Sequence, residues 1–217
     1  MFLSRATIRD RNVLRRLAGV PYAVHQLVWS LFADAPDRRR DFLFREMEQP
    51  GLPSFLILSA RMPQQPSGWC IDAKPFAPQL EAGDRLTFSL RANPVVRRND
   101  DAGRKVRHDV VMDAKRHSRD AGEFEPRQLL IHEAGRVWLL GRQDALGVRF
   151  DEATLRVDGY QVRRFKKSEG TMAIHLATLE FIGSLTVADP ELLLNRVCQG
   201  IGPGKAFGCG LMLLRRG

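Results

Sequence analysis

The sequence predicts an α+β protein of two tandem ferredoxin-like (RRM-like) βαββαβ domains. Three observations predict it. The first part of the chain runs strand, helix, then several strands; the last part runs several strands, helix, then a closing strand; and the charged stretch between them reads as a connection, not core. On this reading residues 1–94 form the N-terminal domain with the candidate catalytic helix. Residues 95–127 form a basic loop or linker, and residues 128–217 the C-terminal domain with a glycine-rich loop.

Residues 2–9 alternate crudely and carry Phe2, Leu3, Thr7 and Ile8, a first strand. Residues 12–32 have helical apolar spacing, interrupted at Gly19 and restarted by Pro21, which is tolerated at a first helical position. Residues 41–47 and 54–61 read as a hairpin whose turn is the Pro- and Gly-rich QPGLP. Short strands follow at 69–73 and 85–92, the second alternating Leu86, Phe88 and Leu90 against Arg85, Thr87, Ser89 and Arg91. Residues 93–125 turn polar and read as a loop or extended insertion.

A short helix at 128–140 precedes strands at 148–149, 153–160, 161–166 and 173–187, with Asp158-Gly159 predicted as a hairpin turn. The second helix is marked by Asp189 as N-cap, Pro190 in the first turn, the apolar face Leu192, Leu193 and Val197, and Gly200 as its stop. Residues 211–214 supply the last strand.

The chain has 217 residues, 44% hydrophobic and 27% charged, which excludes disorder and fibrous structure and suffices for a core without staples. Lys plus Arg is 34 against 25 Asp plus Glu, a formal charge of +9, which favours a polyanionic partner. Most of these cations are Arg, suited to bidentate phosphate contacts. Three cysteines, Cys70, Cys198 and Cys209, with no CxxC pair, disfavour a disulfide framework and a structural zinc site. No apolar run reaches the roughly 18 residues of a membrane span, and MFLSRATIRDRN lacks the apolar middle of a signal peptide. The expectation is a cytoplasmic protein with no membrane anchor.

Val24, Leu27, Val28 and Leu31 follow i, i+3, i+4, i+7 and form one apolar helical stripe. Tyr22, His25 and Trp29 share a different face. Imidazole changes protonation near neutrality and serves most often as general acid or base. The run Gly200-Ile201-Gly202-Pro203-Gly204-Lys205-Ala206-Phe207-Gly208-Cys209-Gly210 lets backbone N–H groups crowd phosphates or a neighbouring sheet, with Lys205 as a point charge. It is not a Walker A loop, since Ala206 stands where Ser or Thr is required.

Basic clusters occur at Arg97-Arg98, Arg104-Lys105, Lys115-Arg116 and Arg163-Arg164 with Lys166-Lys167, the last interleaved with Tyr160 and Phe165. Neutralising several phosphates with such residues gives steep salt dependence. The sequence shows no HExxH, no GxSxG elbow and no carboxylate cluster of the two-metal type. RNA permits a route without metal, because its 2′-hydroxyl can attack the adjacent phosphorus; DNA has no such group.

Together the MFLSR start, PYAVHQLVWSLF, DFLFRE before PSFLILSAR, LRANPVVRR and GIGPGKAFGCGLMLL resemble the CasE family, CRISPR precursor-RNA endoribonucleases of the type I-E Cascade complex. The resemblance spans essentially the whole chain. It implies binding of the repeat stem-loop and one cut at the 3′ base of the hairpin. It also implies a 2′,3′-cyclic phosphate and 5′-hydroxyl, with the product retained in Cascade, and His25 as principal catalytic residue assisted by Tyr22. Whether His25 acts as acid or base stays open. The candidate RNA-binding residues, from the basic clusters, are Arg97, Arg98, Arg104, Lys105, Lys115, Arg163, Arg164, Lys166, Lys167 and Lys205, beside the loop glycines Gly200, Gly202, Gly204, Gly208 and Gly210. Partners are the repeat RNA and other Cascade subunits, with no cofactor, metal, small-molecule ligand or membrane. The alternative is a non-catalytic RNA-binding or scaffold subunit on the same fold.

Overall fold

In the first strand Ser4, Ala6 and Ile8 turn inward while Arg5 faces out, the period of two of a half-buried strand. The computed structural model describes residues 1–10, 13, 21–32, 40–47, 52–100, 102–122, 125–165 and 174–217, with the backbone alone for 21–23, 165 and 174. Within them the elements run β1 (Phe2–Ile8), α1 (Pro21–Ser30), β2 (Phe42–Met47), β3 (Ser54–Ser59), β4 (Trp69–Pro75), β5 (Arg85–Ala92), β6 (Val95–Asn99) and β7 (Lys105–Asp109). There follow α2 (Val110–Asp120), α3 (Arg127–Leu140), α4 (Gln143–Leu146), β8 (Val148–Phe150), β9 (Arg156–Phe165), β10 (Ile174–Val187), α5 (Pro190–Gln199) and β11 (Met212–Arg216). Most of the predicted helical stretch before Pro21 lies outside the described residues.

The first sheet has the order β2-β3-β1-β4, all antiparallel neighbours, with Leu43 opposite Leu58 and Arg5 opposite both Leu56 and Asp72. Helix α1 and the residues just after it lay Val28, Leu31 and Phe32 on Phe42, Phe44, Phe55 and Trp69. The second sheet has the order β11-β5-β10-β8, with β9 also paired to β10. If β5, β8 with β9, β10 and β11 are its first to fourth strands, both sheets have the ferredoxin-like order, and α3 and α5 are the second unit's crossovers.

This pairing corrects the expected division at residue 94. β5 lies between β10 and β11, with Phe88 opposite both Gly183 and Leu214, so it opens the second unit. Its alternation announced a strand without saying which sheet would bury Leu86, Phe88 and Leu90. Residues 95–127 are also more than a linker. They hold the β6–β7 hairpin and α2, whose N-cap Asp109 accepts from the Val111 N–H at 2.8 Å.

The Asp158-Gly159 turn is a second correction. β9 runs straight through it, and between the pairs Glu180↔Asp158 and Thr178↔Gln161 two residues of β9 oppose one of β10. The left-handed φ of +65° at Gly159 serves a β-bulge, which has the same need for positive φ as a hairpin turn. The expected strand at 153–160 starts later, because Ala153 N–H donates to Asp151 and forms a turn. The β9–β10 connection, with Lys166 and Lys167, lies outside the described residues.

β2 and β3 are buried on both faces. Phe42 and Phe44 join the core under α1, whereas Leu43 and Leu58 join the core of the second unit beside Phe88 and Leu193. The two units therefore pack through the open face of the first sheet.

Candidate active site and nucleic-acid interface

Val28 and Leu31 anchor α1, and this holds His25 one turn away, half-buried at the rim of the first unit. The His25 ring stands edge-on to Trp29, with centroids 5.6 Å apart, and tilted against Phe207 at 6.3 Å. Trp29 in turn meets Phe42 edge-on at 5.5 Å, so the ring that the helical wheel put off the stripe is drawn partly onto the core.

Phe207 arrives on the glycine-rich loop. α5 stops at Gly200, with φ +80°; Ile201 N–H donates to the Gly210 carbonyl and Gly210 N–H to the Arg91 carbonyl, both at 2.8 Å. These bonds tie the loop to β5. A tight turn, Lys205–Phe207, is flanked by left-handed Gly204 and Gly208. A Cβ on Gly200 would sit 2.7 Å from Leu43, so the loop also lies close on β2. The loop thus bridges both units, and the structure brings His25 and the loop glycines to one place.

Lys205 is also held by the end of the preceding helix. Its Nζ donates to the Gln199 carbonyl at 2.7 Å, where it satisfies the C-terminal end of α5, and burial, with Arg40 nearby, lowers its pKa. Two cations, Arg91 on β5 and Arg163 on β9, line a hollow between α1 and the β9–β10 ribbon together with Glu46, Val24, Phe44 and Phe207. Arg91 is tied to Glu180, which also receives Arg45 Nη2 at 2.9 Å. Cys209 is buried behind this group, and burial pushes its thiol up to about 12, so it is not a nucleophile.

The other predicted cations divide by partner. Arg98 is bound to Asp113 at 2.7 Å, and this bond is the main reason the Asp113 carboxyl titrates below its ordinary range. Arg104 is held by Asp100 at 2.8 Å. Arg97, Lys105, Lys115, Arg163 and Arg164 are exposed, with Arg163 opposite Leu176 and Arg164 opposite His175 on β10. The side chain of Tyr22, and Lys166 and Lys167 entirely, lie outside the described residues. Sequence reasoning missed Arg91, whose alternation on β5 read only as an outward position, and Arg107 and Arg142, which carry no local motif.

Among the described residues no group of three or more His, Cys, Asp or Glu is placed to hold a metal ion, and no helix is long and apolar enough to cross a membrane.

A family model described as CRISPR associated protein matches residues 1–216. The chain is 34% identical over 198 residues to the CRISPR system Cascade subunit CasE of Escherichia coli K12, covering 89% of this chain and 90% of that protein. The chain belongs to the CasE family. A second member, the CRISPR-associated endoribonuclease Cse3 of Thermus thermophilus, is 30% identical over 225 residues, covering 98% of each. Among solved structures, CRISPR endoribonuclease Cse3 bound to 19-nucleotide RNA superposes with a TM-score of 0.72 at 25% identity, covering 99% of this chain and 100% of that one. The fold of this CasE-family chain is accordingly the tandem ferredoxin-like one.

Proposed function

We propose that this protein is the endoribonuclease that binds the CRISPR repeat stem-loop in the cytoplasm, cuts precursor RNA at the 3′ base of the hairpin without a metal ion, and keeps the product within Cascade. Its relatives carry the names of a Cascade subunit and an endoribonuclease, and one solved relative holds RNA. The observation that carries the reading to particular residues is the imidazole of His25 against Phe207, at the edge of a hollow lined by Arg163.

The substrate's 2′-oxygen attacks phosphorus and forms the 2′,3′-cyclic phosphate, while the bond from phosphorus to the 5′-oxygen breaks. The 2′-hydroxyl proton must leave and the 5′-oxygen must gain one; His25 performs one of these transfers, with Tyr22 assisting. Proton transfer of this kind contributes about 10² to 10⁴ in rate. Arg163 supplies positive charge to the phosphorane. Arg97, Arg98, Arg104, Lys105, Lys115, Arg164, Lys166 and Lys167 hold the backbone, Arg98 and Arg104 while shared with their carboxylates.

The test is incubation of the purified protein with its cognate repeat RNA in EDTA, with product termini read by mass. A cyclic phosphate with a 5′-hydroxyl is expected. Tight binding without cutting at long times would move the assignment to a scaffold subunit.

A further inference from the structure

Three arginines outside the His25 hollow converge where the β6–β7 hairpin meets the glycine loop. Arg97 and Arg107 are directly opposite in the antiparallel register, so their side chains project from one face of the hairpin. Like charges placed this way repel, and neither has a carboxylate within salt-bridge distance among the described residues. Their neighbour Arg98 does, in Asp113.

The third is Arg142, just past α3. Its guanidinium lies over the Trp138 indole, 3.9 Å from the ring centroid, and donates to the Trp138 carbonyl. Trp138 is buried, stacked on Phe181 and bonded through Nε1 to the Val95 carbonyl at the base of the hairpin, so its platform is rigid. Arg142 is partly desolvated, which lowers its pKa, and it too has no acidic partner among the described residues. Arg97, Arg107 and Arg142 line one hollow together with Gly202 and Pro203 of the glycine loop. Cations that repel across a hairpin, beside a fixed guanidinium and a glycine backbone, are stabilised together by an anion between them.

We propose that Arg97, Arg107 and Arg142, with the loop backbone at Gly202, bind a backbone phosphate of the same RNA that reaches His25. The inference rests on the function proposed above, and it adds to it a second phosphate site and two residues with no sequence signature. Phe207 lies five positions after Gly202, at most about 18 Å of extended chain, so the two sites are a few nucleotides apart on one strand.

The test measures repeat-RNA affinity at several salt concentrations in a His25→Ala background, where the RNA stays intact, for Arg107→Gln, Arg142→Met and the double variant. The double variant is expected to bind about tenfold more weakly. Its slope of log K against log salt should shrink by about 0.7 to 0.9, the value of one phosphate. In free protein, Arg107→Gln should leave Tm equal to or above the parent, because it removes a cation facing Arg97. An unchanged slope, or a fall in Tm on Arg107→Gln, overturns the proposal. Cutting is followed in parallel with His25 intact. Slope loss in a protein that never cuts RNA supports the phosphate site and refutes the nuclease, whereas normal cutting with an unchanged slope refutes the site alone.

Discussion

Arg45 on β2 donates to Glu180 on β10 at 2.9 Å, a bond between the two sheets. Arg45 also reaches Ser89 on β5 at 2.8 Å, and Glu180 takes a second guanidinium from Arg91. This ion cluster joins the two units at the wall of the hollow that Arg91 and Arg163 line.

Glu180→Ala therefore removes the carboxylate that Arg45 and Arg91 share, where their side chains are only 15% and 17% exposed. Breaking such a cluster costs about 3 kcal/mol. Urea denaturation should show a midpoint loss of that order, and an unaltered midpoint would show that the two units do not depend on this bond.

His25→Ala should slow single-turnover cleavage by about 10² to 10⁴. Filter binding of uncut repeat RNA should be little changed, because the arginines, and not this ring flanked by Trp29 and Phe207, hold the RNA backbone.

Arg163→Ala and Arg164→Ala should each reduce the salt slope of RNA binding by about 0.7 to 0.9. Only Arg163→Ala should also slow cutting at saturating RNA, since strand alternation turns Arg164 away from the hollow. Equal loss of cutting in both variants would contradict this placement.

Gly210→Ala and Gly103→Ala separate conformation from contact. Both positions have positive φ, +90° and +74°. A Cβ at Gly210 would also lie 2.8 Å from the Ile201 carbonyl oxygen, whereas at Gly103 it meets nothing within 4 Å. Thermal unfolding should show about 1 kcal/mol lost at Gly103 and about 3 kcal/mol at Gly210. Cleavage should fall only in the second, where the loop moves Phe207.

The Asp113 carboxyl is depressed first by the Arg98 hydrogen bond, below its ordinary 3.8. A depressed carboxylate stabilises the fold above its unfolded pKa and loses that contribution as pH falls through the folded value. The stability gap between the parent and Asp113→Asn should thus be full at pH 6 and shrink below pH 3.8. A gap independent of pH would remove Arg98 as its cause.

Much of the candidate site was legible. Val28 and Leu31 show the buried stripe, Asp189 and Gly200 show where the second crossover helix starts and stops, and the glycines between 200 and 210 show a close-packed loop. Arg142 was not legible, because it acts through a stack on Trp138 and a hollow shared with a hairpin some 40 residues earlier in the chain. The bond from the Lys205 ammonium to the carbonyl of Gln199 was not legible either, because it closes across the loop and no local pattern marks it.

By itself the sequence determined the ferredoxin-like class, the helix that starts at Pro21, the capped helix between Asp189 and Gly200, and the glycine loop after it, because periodicity, capping and φ preference are written within a few residues. Only the tertiary structure decided that β5 serves the second sheet, that Asp158-Gly159 bulges instead of turning, and which arginines keep their charge for a ligand. Those depend on what lies opposite across a sheet or between units, and an Arg has the same letter whether its neighbour is Asp113 or another Arg.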